Sequence, residues 1–167
     1  MDRILRLEEG REAVIRTNVS NSEDDVADHF EVRPIMPGCL IPEARDQAAR
    51  LLLAKSAGFA CLPSLEGVVT AKMQHFVRPG NLLDVQVTVL RHAADASEVR
   101  ASASVGERTV ARASLHYQLI PAFTDTLTAR ACVRMREFSE VLAADMERVA
   151  TEWRSPVAES GREANGV

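Results

Sequence analysis

The residues best suited to chemistry stand close together. His29 and Glu43 are fourteen positions apart, and between them Pro37-Gly38 marks a turn that opens into an apolar stretch beginning at Cys39-Leu40-Ile41. One imidazole and one carboxyl are the pair that moves protons on and off neighbouring carbon atoms. The imidazole is unprotonated near neutral pH and takes a proton; a carboxyl held against apolar walls has its pKa raised and keeps one to give. Gly38 adds a third part. The start of a helix offers unpaired backbone N–H groups and the positive end of the dipole, and a glycine there lets a ligand approach the backbone closely. Gln47 lies one turn beyond Glu43 on the same helix face, where it either orients the carboxyl or simply fills the helix.

These residues need elements to hold them. Residues 3–7 and 11–19 alternate apolar and polar around Glu9-Gly10, which predicts two strands and a tight turn. Residues 20–28 are polar and read as a loop with room for one helical turn. A helix follows over roughly 39–56 and closes near Gly58. Its apolar residues (Leu40, Ile41, Ala44, Ala48, Leu51, Leu52, Leu53) cover most of its circumference, so it should be buried. From Val68 the period changes to two, which predicts strands near 66–77, 82–92, 96–105 and 108–120, with turns at Pro79-Gly80-Asn81 and Gly106-Glu107. From about Thr124 to Trp153, Ala131, Met135, Phe138, Leu142, Met146, Val149 and Trp153 recur every three or four positions, the mark of an amphipathic helix. The expected organisation is a domain over 1–120, a helical extension over 121–154 and a disordered tail over 155–167. One helix among antiparallel strands makes the fold class α+β, a sheet wrapped around a central helix.

The bulk numbers agree. The chain has 167 residues, is 46% hydrophobic and 26% charged, and carries a net charge of −4. That is one globular domain with a sizeable core. An acidic balance gives no electrostatic case for nucleic acid or an anionic membrane. No apolar run approaches spanning length and charge begins at Asp2, so neither a leader nor a membrane anchor is expected. Cys39, Cys61 and Cys132 lack any paired or metal-ligand spacing; an odd number without a framework suggests reduced thiols in the cytoplasm.

The segment His29-Phe30, Pro34-Ile35-Met36-Pro37-Gly38-Cys39-Leu40, Glu43 and Gln47 resembles the active-site segment of the 3-hydroxyacyl-acyl-carrier-protein dehydratases of type II fatty acid synthesis. Every fixed position of the pattern HF-x-x-x-P-x-MPG-x-L-x-x-E-x-x-x-Q is met. Phe76-Val77-Arg78-Pro79-Gly80-Asn81 resembles the strand of that family that ends in a Pro-Gly turn, and the likeness spans roughly residues 2–120. Glu43 matches the FabZ type, since the isomerising FabA type has aspartate there; Cys39 is closer to the FabA type. Glu31-Val32 replaces the usual Pro-Gly and Asp28 the usual Gly. Arg45, Asp46 and Arg50 stand where the family is apolar or small. The family's N-terminal helical segment is missing and a long C-terminal helix is added.

The resemblance implies the hot-dog fold and the dehydration of 3-hydroxyacyl thioesters on acyl carrier protein, in fatty acid assembly or a polyketide- or polyene-type pathway. His29 would be the base at C2 and Glu43 the acid at the C3 hydroxyl. The N–H groups of Gly38 and Cys39 would meet the thioester oxygen, and Gln47 would orient Glu43. No metal and no organic cofactor are expected. It also implies a dimer in which His29 of one chain meets Glu43 of the other, as a homodimer or with a second hot-dog subunit. Arg33, Lys72 and Arg78, with Arg91, are candidates for a basic rim facing the carrier or its phosphopantetheine phosphate, against the plainer reading of scattered solvated charges. Cys39 reads as a small buried residue and His75 as an ordinary strand residue. Asp46 and Arg50, one turn apart, either pair with each other or leave Arg50 bordering the acyl tunnel. Rival readings are a partner subunit with little activity of its own, a hot-dog thioesterase and a non-catalytic acyl sensor.

Overall fold

The computed structural model describes residues 1–20 and 35–152, with side chains as far as residue 144. Six strands and two helices follow the order β1 (Arg3–Glu8), β2 (Glu12–Asn18), α1 (Leu40–Ser56), β3 (Cys61–Met73), β4 (Leu82–His92), β5 (Ala96–Val105), β6 (Arg108–Pro121) and α2 (Thr126–Glu152). The strands form one sheet in the order β1-β2-β4-β5-β6-β3, and every neighbouring pair is antiparallel. Gly10 and Gly106 take the left-handed φ values of +72° and +57° that the β1–β2 and β5–β6 turns demand.

The alternation in each strand decides which face meets α1. Ala13 and Ile15 of β2, Leu83, Val85 and Val87 of β4, Val99, Ala101 and Ala103 of β5, and Leu115 and Tyr117 of β6 are buried. The alanines let the helix lie close to the sheet. On α1 the matching residues are Ile41, Ala48, Ala49, Leu51, Leu52, Leu53 and Ala54. Burial of α1 is not complete: Pro42, Glu43 and Gln47 form an open stripe near its start. Arg45, by contrast, points into the core with 1% of its surface exposed. Its Nε donates to the Ile41 carbonyl at 3.3 Å, its Nη1 is buried without a partner, and desolvation pulls the guanidinium below its ordinary pKa.

Two boundaries differ from the sequence expectation. β3 starts at Cys61 and not near 66, because Pro63 is tolerated on a strand that pairs on one side only. It ends at Met73 and not at 77; Val77 instead accepts a hydrogen bond from Met36 N–H at 2.8 Å, tying the strand exit to the approach to α1. α2 packs against β1, α1 and β3. Asp125 starts it, accepting from the Thr128 N–H and hydroxyl at 2.8 Å each. Its buried stripe is Thr128, Cys132, Ser139 and Leu142, turned from the predicted line so that Phe138 is 44% exposed. Small residues on that line let α2 approach closely. Met146, Val149 and Trp153, the polar loop from 21 to 28 and the 155–167 tail lie outside the described residues or side chains.

Leu52 is fully buried between α1 and the sheet. Leu52→Ala should cost about 2–5 kcal/mol, read as a lower denaturant midpoint at unchanged m-value.

Candidate active site

The approach to α1 is set by Pro37, which is buried, followed by a turn at Gly38-Cys39. Cys39 is the N-cap, but its side chain caps nothing. The Leu40 N–H closes onto the Pro37 carbonyl at 3.0 Å and the Glu43 N–H onto Cys39 at 3.4 Å, while the N–H groups of Gly38 and Cys39 have no acceptor among the described residues. Among the described residues, two donors therefore stand unpaired at the positive end of a seventeen-residue helix. A Cβ on Gly38 would meet Met73 Sδ only at 3.5 Å, an ordinary contact. Neighbouring packing does not demand glycine here; an open approach to the backbone does.

Glu43 sits in the first turn of α1, and Gln47 Nε2 donates to its Oε1 at 2.8 Å. The carboxyl is thus held in place, yet it is exposed in the single chain. Asp46 accepts from the Tyr117 hydroxyl at 2.8 Å and stands 3.7 Å from Arg50 Nη1. Burial first, and then the Asp46 carboxylate, pushes the Tyr117 phenol well above its usual pKa. Arg50 approaches Asp46, as the pairing reading has it, and also lines a cavity.

Beside Gly38 lies a cavity of about 410 Å³, walled by Met36, Ile41, Met73, His75 and Phe76. Adjoining it, His75 and Phe76 also line a more polar space of about 540 Å³ with Arg78 and Arg108. Arg108 Nη2 lies 2.5 Å from His75 Nδ1. His75 is therefore not a strand residue; it stands beyond the end of β3, at the mouth of the Gly38 cavity. Arg108 went unnoticed in the sequence, where only its place after the Gly106 turn, opposite the exit of β3, marks it. Lys72 stands elsewhere, exposed on β3 across from Arg112 of β6, and Arg91 is 3.9 Å from Glu98. His29 and Arg33 lie outside the described residues, as do Asp28, Glu31 and Val32. Among the described residues no group of three His, Cys, Asp or Glu side chains is placed to hold a metal ion, and no helix is long and apolar enough to cross a membrane.

The thiols correct one expectation. Cys39 is exposed, whereas Cys61 and Cys132 are buried and desolvation raises their pKa. Cys39 follows a Pro-Gly turn at the helix start, where Gly38 and Pro42 are exposed as well.

A six-stranded antiparallel sheet packed around a central helix, with a second helix at the C-terminal end, defines the hot-dog fold. The FabA-like domain model matches residues 1–114, and the chain belongs to that family. The 3-hydroxyacyl-[acyl-carrier-protein] dehydratase FabZ of Pediococcus pentosaceus is 36% identical over 118 residues, 70% of this chain and 79% of the relative. Among solved structures, smu.793 of Streptococcus mutans, bound to acetyl CoA, superposes with a TM-score of 0.59 at 14% identity over 71% of this chain and 88% of its own. The dehydratase heterocomplex ApeI:P of Xenorhabdus doucetiae gives 0.53 at 18% identity, covering 71% and 98%. At these identities the structures speak for the fold alone. α2 begins at Thr126, beyond the stretch that the family model matches.

Of the three thiols, only Cys39 should react with an aromatic disulfide reagent in the folded protein, with Cys61 and Cys132 following on denaturation. Mass mapping of the labelled peptides checks this.

Proposed function

We propose that this protein dehydrates 3-hydroxyacyl thioesters carried on acyl carrier protein to trans-2-enoyl thioesters in fatty acid synthesis. One observation carries the reading: Glu43, oriented by Gln47 at 2.8 Å, stands in the first turn of α1, which the Gly38 and Cys39 N–H groups, without an acceptor among the described residues, lead into. His29 takes the proton from C2, electron density moves onto the thioester oxygen, and the Gly38 and Cys39 N–H groups stabilise it there. The C2–H electron pair forms the C2=C3 bond as the C3–O bond breaks. Glu43 gives its proton to the departing hydroxyl, which leaves as water. The FabZ relatives, at about a third identity, carry the same reaction in their name.

A carboxyl acting as an acid near neutral pH needs apolar walls, and in the single chain Glu43 has none on its outer side. β3 supplies the reason to bring in a second copy. It is an edge strand, and Leu65, Val68, Val69 and Met73 are exposed along it. Pairing of two β3 edges covers these residues and closes the open side of each site, with His29 of one chain facing Glu43 of the other. The pantetheine arm then enters past Phe76, and Arg78 and Arg108 meet its phosphate. The three free cysteines fit a reducing compartment such as the cytoplasm.

His29→Ala and Glu43→Gln should each lower turnover by at least about a hundredfold while leaving the dimer folded. The assay is mass spectrometry of 3-hydroxyacyl carrier protein, watching for loss of one water; full activity in Glu43→Gln removes the proposed acid. Val68→Lys should place a charge in the paired β3 edge, shift the protein toward monomer on size-exclusion chromatography and lower activity in parallel. A monomeric but fully active wild type removes the shared site.

A further inference from the structure

A second cavity, of about 440 Å³, lies between the open stripe of α1 and the added helix α2. Gln47, Arg50 and Leu51 form one wall, Leu62 of β3 the floor, and Arg134 and Phe138 of α2 the other side. Gln47 joins it to the active site, because the same side chain that donates to Glu43 also faces this cavity. From Glu43 to Arg50 the helical rise covers about 10 Å along one stripe. An acyl chain with its C3 carbon at Glu43, laid along that stripe, would reach the space beneath α2.

The walls are apolar, but the far end is cationic. Arg50 Nε is shut off from solvent with no hydrogen-bond partner. The Arg50 side chain is 38% exposed, and its Nη1 stands 3.7 Å from Asp46 Oδ2, while the other oxygen of Asp46 accepts from Tyr117. Arg134 has no ion pair or hydrogen bond with the described residues, and the side chain is exposed at the rim. An unmet buried donor is costly, and two guanidinium groups facing one apolar cavity suit a planar anion, which accepts from both. Because Arg134 reaches solvent, the anion is not wholly stripped of water when it binds. A plain alkyl end would leave Arg50 Nε without an acceptor.

We propose that this cavity receives the far end of the substrate's acyl chain, and that Arg50 and Arg134 make it selective for chains ending in a carboxylate. The inference rests on the dehydratase reading and names the substrate class of that same site. α2, which the family model does not cover, contributes Arg134 and one wall, so the selectivity belongs to the added part of the chain.

The test is a competition in one tube between matched substrates on carrier protein: 3-hydroxyacyl chains of graded length, each against the chain of equal length that ends in a carboxyl group. At the fitting length, kcat/KM should favour the carboxyl-ended chain by roughly ten- to a hundredfold, the range of a charge-assisted hydrogen bond. Arg134→Gln should bring that ratio close to one. Arg130→Gln, exposed on the same helix but outside the cavity, should keep it. Equal or alkyl-favouring turnover at every length overturns the proposal and leaves the dehydratase standing. If no chain is dehydrated, the dehydratase reading falls, and calorimetry with carboxyl-ended and alkyl-ended acyl-pantetheines then decides the cavity. Tighter binding of the former, lost in Arg134→Gln, upholds it; equal binding overturns it.

Discussion

Everything in this protein follows from how α1 is enclosed. The antiparallel sheet takes one side of the helix with close-packed valines, leucines and alanines, and α2 covers part of the other. What remains open is the helix start and a stripe through Glu43 and Gln47. The buried body of the helix anchors its open start, so the donors that lead into the first turn and the carboxyl within it are set by one element. Glu43 and the N–H groups at the helix start require no rigid loop of their own; they inherit their geometry from the core.

Much of this was legible in the chain, and the limits have physical causes. The change from a 3.6-residue to a two-residue period marked α1 and the strands, because local alternation and burial agree in a one-helix, one-sheet fold. Gly10, Gly58 and Gly106 marked the turns, all with positive φ. Glu43 and Gln47 were predictable neighbours, since their separation fixes a shared helix face. The strand limits of β3 were less visible: Pro63 argues against a strand until one knows that the strand is an edge. The facing of α2 was misjudged because Thr128, Cys132 and Ser139 do not advertise themselves as core. His75 with Arg108 and Tyr117 with Asp46 are separated by 33 and 71 positions, and no local pattern reveals such pairs.

The departures from the family pattern on α1 now have separate explanations. Asp46 is held by Tyr117 from β6, which replaces an apolar contact with a buried hydrogen bond. Arg45 lies in the core with one nitrogen unpartnered. That is a burden on stability that packing around the long side chain offsets only in part. Arg50 looks outward to the space under α2. Three polar substitutions within six residues thus act in three directions: one on the sheet, one in the core and one on the space under α2.

β3 has a consequence for the life of the protein before it reaches its working state. Its long, apolar, one-sided ladder invites addition of any extended segment, not only its own duplicate. On the proposed pairing of β3 edges, a newly made copy that has not yet met a mate is the vulnerable species. Its risk of clumping depends on how quickly mates are found, and so on the rate of synthesis. Crowded, co-translational production from one message would protect it, whereas slow accumulation of solitary chains would leave that border bare.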